Sequence, residues 1–345
     1  MKKKTARELE FPFDKYPKSG ETRTILPGIR WVRMPLNYRL DHINLWILDD
    51  DPNEIVLVDT GFGLDEVQEQ WNTLLAKIGR RVGAVVASHC HPDHIGLAEW
   101  LSQRDGSPVY MTLGEYFGAQ AIWNQMPGYS IPDMLDSFRR HGMDQTLLDS
   151  LEQRGNGYRR GVPALPSRFH RMFAGDVLNI NKHNWRVIVS HGHSPEHASL
   201  YCEALGVLIS GDMLLPRIPT NVGVYAAMPN DDTLGWFLCS LHQLRELPKD
   251  TLVLPSHGLP FRGIRQRIDE LEAHHEERCE ALPKAMSGAC SAASQIGTLF
   301  PRELTAHETA FAMRETIAYL NHLVYRGEVR RLLDADGSIR FERTA

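Results

Sequence analysis

The stretch Ser88-His89-Cys90-His91-Pro92-Asp93-His94-Ile95-Gly96 constrains this chain more than any other part of it. It follows Val82–Ala87, a short β-branched run that reads as a buried strand. Four side chains able to ligate a metal (His89, His91, Asp93 and His94) fall within six residues at that strand's end. Alternate side chains of an extended segment share a face, so His89 and His91 can meet one ion while Cys90 points away and packs. Pro92 biases His91 toward an extended conformation and is itself favoured in a first helical turn. Asp93 and His94 then project from that turn toward a second ion. A solvated loop has no reason to gather four such groups directly after an apolar strand.

The surrounding pattern alternates strands and helices. Ile29–Met34, Ile43–Leu48 and Ile55–Val58 read as strands, the last leading into Asp59-Thr60-Gly61. Apolar positions at Val67, Trp71, Leu74, Leu75 and Ile78 have a helical period that Gly79 stops. A further helix is expected from about Ile95 to Leu101. Residues 113–170, rich in Met, aromatic and Arg residues and with a periodic stretch over Ile131–Leu151, read as a helical insertion; Gly155–Pro166 reads as a loop within it. Strands resume at Trp185–Val189, Ala198–Cys202 and Val207–Ile209, then a helix over Thr233–Leu247 and a strand at Leu252–Leu254. From Ile264 onward the pattern is helical, with an amphipathic helix over 306–325. Arg330–Leu333 and Ser338–Phe341 flank the turn Asp334-Ala335-Asp336-Gly337. The order argues for an α/β architecture.

On these residues the chain resembles the metallo-β-lactamase superfamily, whose hallmark is H-x-H-x-D-H. The resemblance extends to Asp59 in Val58-Asp59-Thr60-Gly61, His193 in Gly192-His193-Ser194-Pro195, Asp212 in Ser210-Gly211-Asp212 and His257 in Pro255-Ser256-His257-Gly258, in the expected order and each just after an expected strand. It implies an αββα sandwich over residues 1–265 with the insertion at 113–170, and a C-terminal helical, winged-helix-like domain over 266–345. It also implies two divalent ions: one held by His89, His91 and His193, the other by Asp93, His94 and His257, with Asp212 bridging. Five imidazoles and two carboxylates without a thiolate suit zinc first, and iron(II) or manganese as alternatives. Members with redox di-iron sites carry Glu where this chain has His91, so the resemblance implies hydrolysis, with Asp93 and Asp212 in catalytic positions. Asp59 and His197 are expected behind the ligands, orienting them. The tail is similar to that of a glyoxalase II or thioesterase-like branch that also includes an endoribonuclease.

The remaining features narrow the substrate. A net charge of −5 gives no footprint for nucleic acid or a membrane surface, and no apolar run approaches the ~20 residues of a bilayer span. The tail from Ala285 carries seven Arg against seven Asp and Glu, a poor phosphate-binding surface. Met1-Lys2-Lys3-Lys4 is followed by polar residues and not by an apolar core, so a cytoplasmic chain is expected. The five cysteines are scattered and odd in number, which fits reduced thiols. His274 and His275, adjacent on a helix, diverge by about 100° and read as structural. Tyr225, Trp123, Tyr129 and Arg168 are the expected contacts to a small acyl substrate, a thioester such as an acyl-CoA, and a homodimer is the expected assembly. A lactonase or β-lactamase, a phosphodiester nuclease and a non-enzymatic metal-binding scaffold remain open on the sequence.

Overall fold

Seven strands pair in chain order to form the first sheet: β1 (Thr22–Leu26), β2 (Ile29–Pro35), β3 (His42–Asp49), β4 (Glu54–Val58), β5 (Arg81–Val86), β6 (Val109–Met111) and β7 (His170–Arg171). The first four run antiparallel and the last four parallel, and parallel neighbours need crossover connections. These are α1 (Asp65–Ile78), then α2 (Pro92–Ile95) with α3 (Ala98–Asp105), then the insertion, α4 (Leu113–Trp123), α5 (Ile131–Arg140), α6 (Gln145–Arg154) and α7 (Tyr158–Gly161). The second sheet contains β8 (Val177–Ile180), β9 (His183–Ser190), β10 (His197–Cys202), β11 (Val207–Gly211) and β12 (Leu252–Pro255), in the order β12-β11-β10-β9-β8. Helix α8 (Thr233–Arg245) connects the parallel pair β11 and β12. The chain ends in α9 (Ile264–Ala285), α10 (Ala292–Leu299), α11 (Ala306–Tyr325) and the antiparallel hairpin of β13 (Val329–Leu333) and β14 (Ile339–Arg343). This computed structural model describes residues 9–344. The lysine-rich start on which the leaderless, cytoplasmic expectation rested lies outside the described residues. No helix among the described residues is long and apolar enough to cross a membrane.

Three apolar layers make this an αββα sandwich. The inner faces of the two sheets meet through Trp31, Trp46, Val58 and Val86 on one side and Trp185, Val187, Leu200 and Ile209 on the other, with the Trp31 and Trp46 rings stacked at 6.1 Å. The outer face of the first sheet packs on α1 and α3 through Trp71, Leu74, Leu75 and Leu101. Behind the second sheet, one cluster joins α8 to α5, α6, α9 and α11, including Phe138, Phe237, Leu271 and Tyr319. The tail therefore shares a core with both the insertion and the second sheet. Because β4 and β5, like β11 and β12, are parallel neighbours, their carboxyl ends open on one edge of the sandwich. The loops leaving these ends carry Asp59, the segment 88–96, Asp212 and His257.

The segment expected as one helix from Ile95 is two helices broken at Gly96 and Leu97. The cause is distant in sequence. Thr60 donates its backbone N–H (2.8 Å) and its hydroxyl (2.7 Å) to the His94 carbonyl, and the same hydroxyl accepts the Leu97 N–H at 3.1 Å. The carbonyl that would continue the helix is thereby taken. Gly96 lies where a Cβ would come within 2.4 Å of the Gly61 carbonyl oxygen, so this crossing admits only glycine. In the insertion, Ile131–Leu151 divides into α5 and α6 around Gly142 (φ +86°), and the expected loop 155–166 contains the single turn α7. Strands β1, β7 and β8 lie at sheet edges where the sequence pattern is weak. The amphipathic helix over 306–325 is α11, opened by a capping box in which Thr305 and Glu308 bond each other's backbone N–H.

Candidate metal centre

The histidine cluster takes its shape from one extended residue and one turn. His91 (φ −66°, ψ 148°) is the N-cap of α2 and Pro92 opens the helix, so Asp93 and His94 leave the first turn on a different side from His89 and His91. Cys90, between the two histidines, is fully buried in the apolar layer under α4. Burial, and after it the charge of Glu115, pushes the Cys90 thiol well up, so it remains an inert packing group.

All seven expected ligands converge. One ligating atom from each of His89, His91, His193 and Asp212 forms a group within 4.8 Å, and Asp93, His94 and His257 form a second group on the same criterion. Asp212 lies between them: its Oδ2 is 3.4 Å from His193 Nε2, and its Oδ1 is 3.6 Å from His94 Nε2 and 3.4 Å from His257 Nε2. Asp93 Oδ2 completes the second group at 3.4 Å from His257 Nε2.

The imidazoles are oriented from behind. His193 Nδ1 donates to the Asn221 carbonyl at 2.7 Å and His257 Nδ1 to the His42 carbonyl at 2.8 Å. His94 Nδ1 donates to Asp59 Oδ2 at 2.8 Å, and His89 Nδ1 lies 3.0 Å from Ser88 Oγ, which itself donates to Asp59. Carbonyl and carboxylate oxygens only accept, so these protons sit on Nδ1 and the Nε2 lone pairs turn inward. There, acceptor faces acceptor: His89 Nε2 is 3.2 Å from His193 Nε2. His94 Nε2 and Asp212 Oδ1 are buried with no hydrogen-bond partner. Orphaned acceptors in a dry site are costly unless a cation shares them, so the residues fit a pair of divalent ions. The electrostatics agree. Burial and then the neighbouring imidazoles hold His89 and His91 down, His91 to about 3, leaving both neutral. Burial also opposes charge on His257, but Asp212 and Asp93 outweigh it and draw its pKa up to about 10, which marks the second group as cation-seeking.

Asp59 stands behind the site, against Ser88 and His94. Its backbone is left-handed (φ +61°), a conformation that costs an L-residue about 1 kcal/mol. Three contacts hold it there: the Ser88 N–H at 2.7 Å, the Ser88 hydroxyl at 2.8 Å, and His94. Asp59→Asn is expected to leave the fold intact and lower activity roughly 10–100-fold, with weaker retention of the ion held through His94. An unchanged rate and metal content would remove this role. His197 lies under Asp212, accepting its backbone N–H at 3.2 Å. Gly211 (φ +53°) leaves room for that ring, since a Cβ there would be 2.3 Å from His197 Nε2.

Two supporting residues escaped the sequence. Glu115, fully buried on α4, accepts the Cys90 N–H (2.8 Å), the Glu196 N–H (2.7 Å) and the Ser194 hydroxyl (2.7 Å), and so ties the loop of His89 and His91 to the loop of His193. Asn221 holds His193 with its carbonyl, while its side-chain amide donates to Glu315 on α11 at 2.6 Å; Glu315 in turn pairs with Arg278 on α9 at 2.9 Å. Neither residue lies in a motif, and each finds its partners only through the fold.

The expected substrate contacts divide. Tyr129 and Tyr225 meet with ring centroids 5.5 Å apart, and Tyr225 lies four residues after Asn221, whose carbonyl holds His193. Trp123 packs within the insertion, its indole N–H donating to the Val162 carbonyl at 2.9 Å under the Arg159 guanidinium. Arg168 is exposed just before β7. Among the described residues, neither Trp123 nor Arg168 makes a hydrogen bond, ion pair or ring contact with the seven. His275 bonds the Tyr319 hydroxyl at 2.6 Å inside the tail.

Comparison with known proteins agrees with this geometry. Residues 38–257 match the family described as Metallo-beta-lactamase superfamily, and residues 279–344 match that described as Metallo-beta-lactamase-like, C-terminal domain. The chain is 25% identical over 232 residues to "Probable metallo-hydrolase YqgX" of Bacillus subtilis (strain 168), covering 67% of this chain and 90% of that protein. It is 42% identical to a beta-lactamase domain protein from Burkholderia ambifaria of known crystal structure, with a TM-score of 0.90 over 97% of this chain and 98% of the other. A metallo-beta-lactamase family protein from Thermus thermophilus is 30% identical, with a TM-score of 0.79 over 93% of this chain and 100% of the other.

Proposed function

As a member of the metallo-beta-lactamase superfamily the chain is a metal-dependent hydrolase, and we propose that the bond it cleaves is a thioester, of the kind an acyl-CoA carries. The observation behind the chemistry is the shared carboxylate: Asp212 faces the histidines of both groups. His89, His91 and His193 would hold one ion and Asp93, His94 and His257 the other, zinc being the best match to this donor set. When bound, such a pair supplies a water acidic enough to ionise near neutral pH and a Lewis acid for the carbonyl oxygen. The chain's own contribution is orientation. Asp59, Ser88, Asn221 and His42 fix four rings from behind. To Asp93, its side chain 20% exposed and the most open of the second group, we assign the proton of an entering water. Elemental analysis of the purified, metal-supplemented protein is expected to give two ions per chain, and at most one would contradict the two-group assignment.

The thioester assignment is supported by the paired rings of Tyr129 and Tyr225, the latter on the loop that leaves Asp212, an apolar surface that suits an acyl chain. We read α10, α11 and the β13–β14 hairpin as a winged-helix-like extension of the thioesterase-like kind. The nuclease alternative lacks its expected cue, because four of the tail's seven arginines are spent on acids: Arg302 on Glu308, Arg326 on Glu276 of α9, Arg330 on Glu342 and Arg340 on Asp334. A panel of matched acyl-CoA, lactone, β-lactam, simple ester and phosphodiester substrates tests the assignment by kcat/KM. The acyl-CoA is expected to lead. A lactone or ester turned over ~100-fold better than every thioester, roughly 2.7 kcal/mol of transition-state stabilisation, would overturn it.

A further inference from the structure

Three arginines of the tail are not spent in this way: Arg343 is exposed, while Arg314 and Arg331 are half-buried. Arg314, on the face of α11 that meets the insertion, is partly buried and forms no ion pair among the described residues. Its guanidinium carbon lies 5.2 Å from the centroid of the Tyr225 ring, and one Nη is 3.3 Å from Met134 Sδ, contacts that leave most of its five N–H donors without an oxygen acceptor. The adjacent acid cannot serve it, because Glu315 is engaged by Arg278 and Asn221. Arg331, the other half-buried tail arginine without a carboxylate, bonds the amide oxygens of Asn230 and Asn321 instead. Burial pushes the Arg314 pKa down, and only the Tyr225 hydroxyl pulls the other way.

This cation also packs on the loop that leaves Asp212. The loop that follows Asp212 passes Asn221, which holds His193, then Gly223, then Tyr225. A Cβ on Gly223 would be 3.1 Å from Arg314 Cβ. Tyr225, four residues after Asn221 on this loop, presents its ring to the guanidinium. A partly desolvated guanidinium that faces an aromatic ring and lacks an acid is incompletely compensated, and an oxyanion is what its forked donors match best.

We infer that Arg314 is the anion-recognition residue of the site, binding a carboxylate or phosphate that the substrate carries at a distance from the bond cleaved. Selection would then come from the tail and hydrolysis from the sandwich. The inference rests on the proposed acyl hydrolysis and adds the charge of the substrate to it.

The test uses one acyl group in three forms, with a neutral, a carboxylate-bearing or a phosphate-bearing leaving group, each made as a thioester and as an oxygen ester. The metal-loaded protein is expected to favour at least one charged form over the neutral one by about 10–100-fold in kcat/KM. Arg314→Met should collapse that ratio to within about 3-fold, and Arg314→Lys should restore part of it. The carboxylate and phosphate arms separate the two sources of the anion. Turnover of the oxygen esters alone would defeat the thioester assignment and leave the charge ratio still readable. Should Arg314→Met fail to fold, inhibition of the wild-type protein by charged and neutral product analogues gives the same comparison, the charged ones expected to bind at least about 10-fold tighter. Absence of a charge preference in the wild type, or its survival in a folded Arg314→Met, would overturn the inference.

Discussion

Asp212→Ala is expected to cost at least about 10³-fold in kcat/KM, roughly 4 kcal/mol, and to reduce the bound metal from two ions to at most one. The size follows from position. Asp212 is the side chain that both groups share, and its two oxygens face the Nε2 atoms of His193, His94 and His257. Without it His94 and His257 lose one of the carboxylates that make their group cation-seeking, and His193 loses its carboxylate neighbour. Elemental analysis alongside kinetics checks both halves. A variant that keeps two ions and more than about a tenth of the activity would show that the two groups are independent.

Glu115→Ala is expected to be the most damaging substitution for stability away from the ligands themselves, at about 3–6 kcal/mol. It would strand two backbone N–H groups and one hydroxyl in a part of the protein that water does not reach, and each stranded donor costs about 1–3 kcal/mol. Burial pushes the Glu115 pKa up, while the three donors favour its charged form; the acceptor oxygens are what the loops require. Glu115→Gln, which keeps one such oxygen, should fall between wild type and Ala. Urea unfolding followed by tryptophan fluorescence measures the series. A loss below about 1 kcal/mol for Ala would show that the loops hold themselves.

What the sequence made legible was whatever is written contiguously. The ligands His89 to His94 stand together after an apolar strand, and α1, with its period of apolar residues and its Gly79 stop in the left-handed region, is self-contained. Glu115 was invisible because its three partners lie at positions 90, 194 and 196; on its own it is one more acid on a helix. The break between α2 and α3 was missed for the same reason, since the hydroxyl that ends the first helix belongs to Thr60. Strands β1, β7 and β8 are edge strands or very short, and their half-exposed patterns carry little of the alternation by which strands are recognised. Arg314 was counted within a tail whose charges cancel. The sum was right and uninformative, because six of the seven arginines are paired, amide-bonded or exposed and the seventh is not.

The hydrogen-bonded chain from Arg278 through Glu315 and Asn221 to His193 joins the last helices to a ligand of the first group. Such a chain couples two equilibria, the docking of the tail and the capture of an ion. By thermodynamic reciprocity, the docked tail tightens the ion by the same free energy with which the ion tightens the tail. Loosening of the C-terminal helices would therefore register first as leakage of metal to a competing chelator, ahead of any loss of secondary structure in the sandwich.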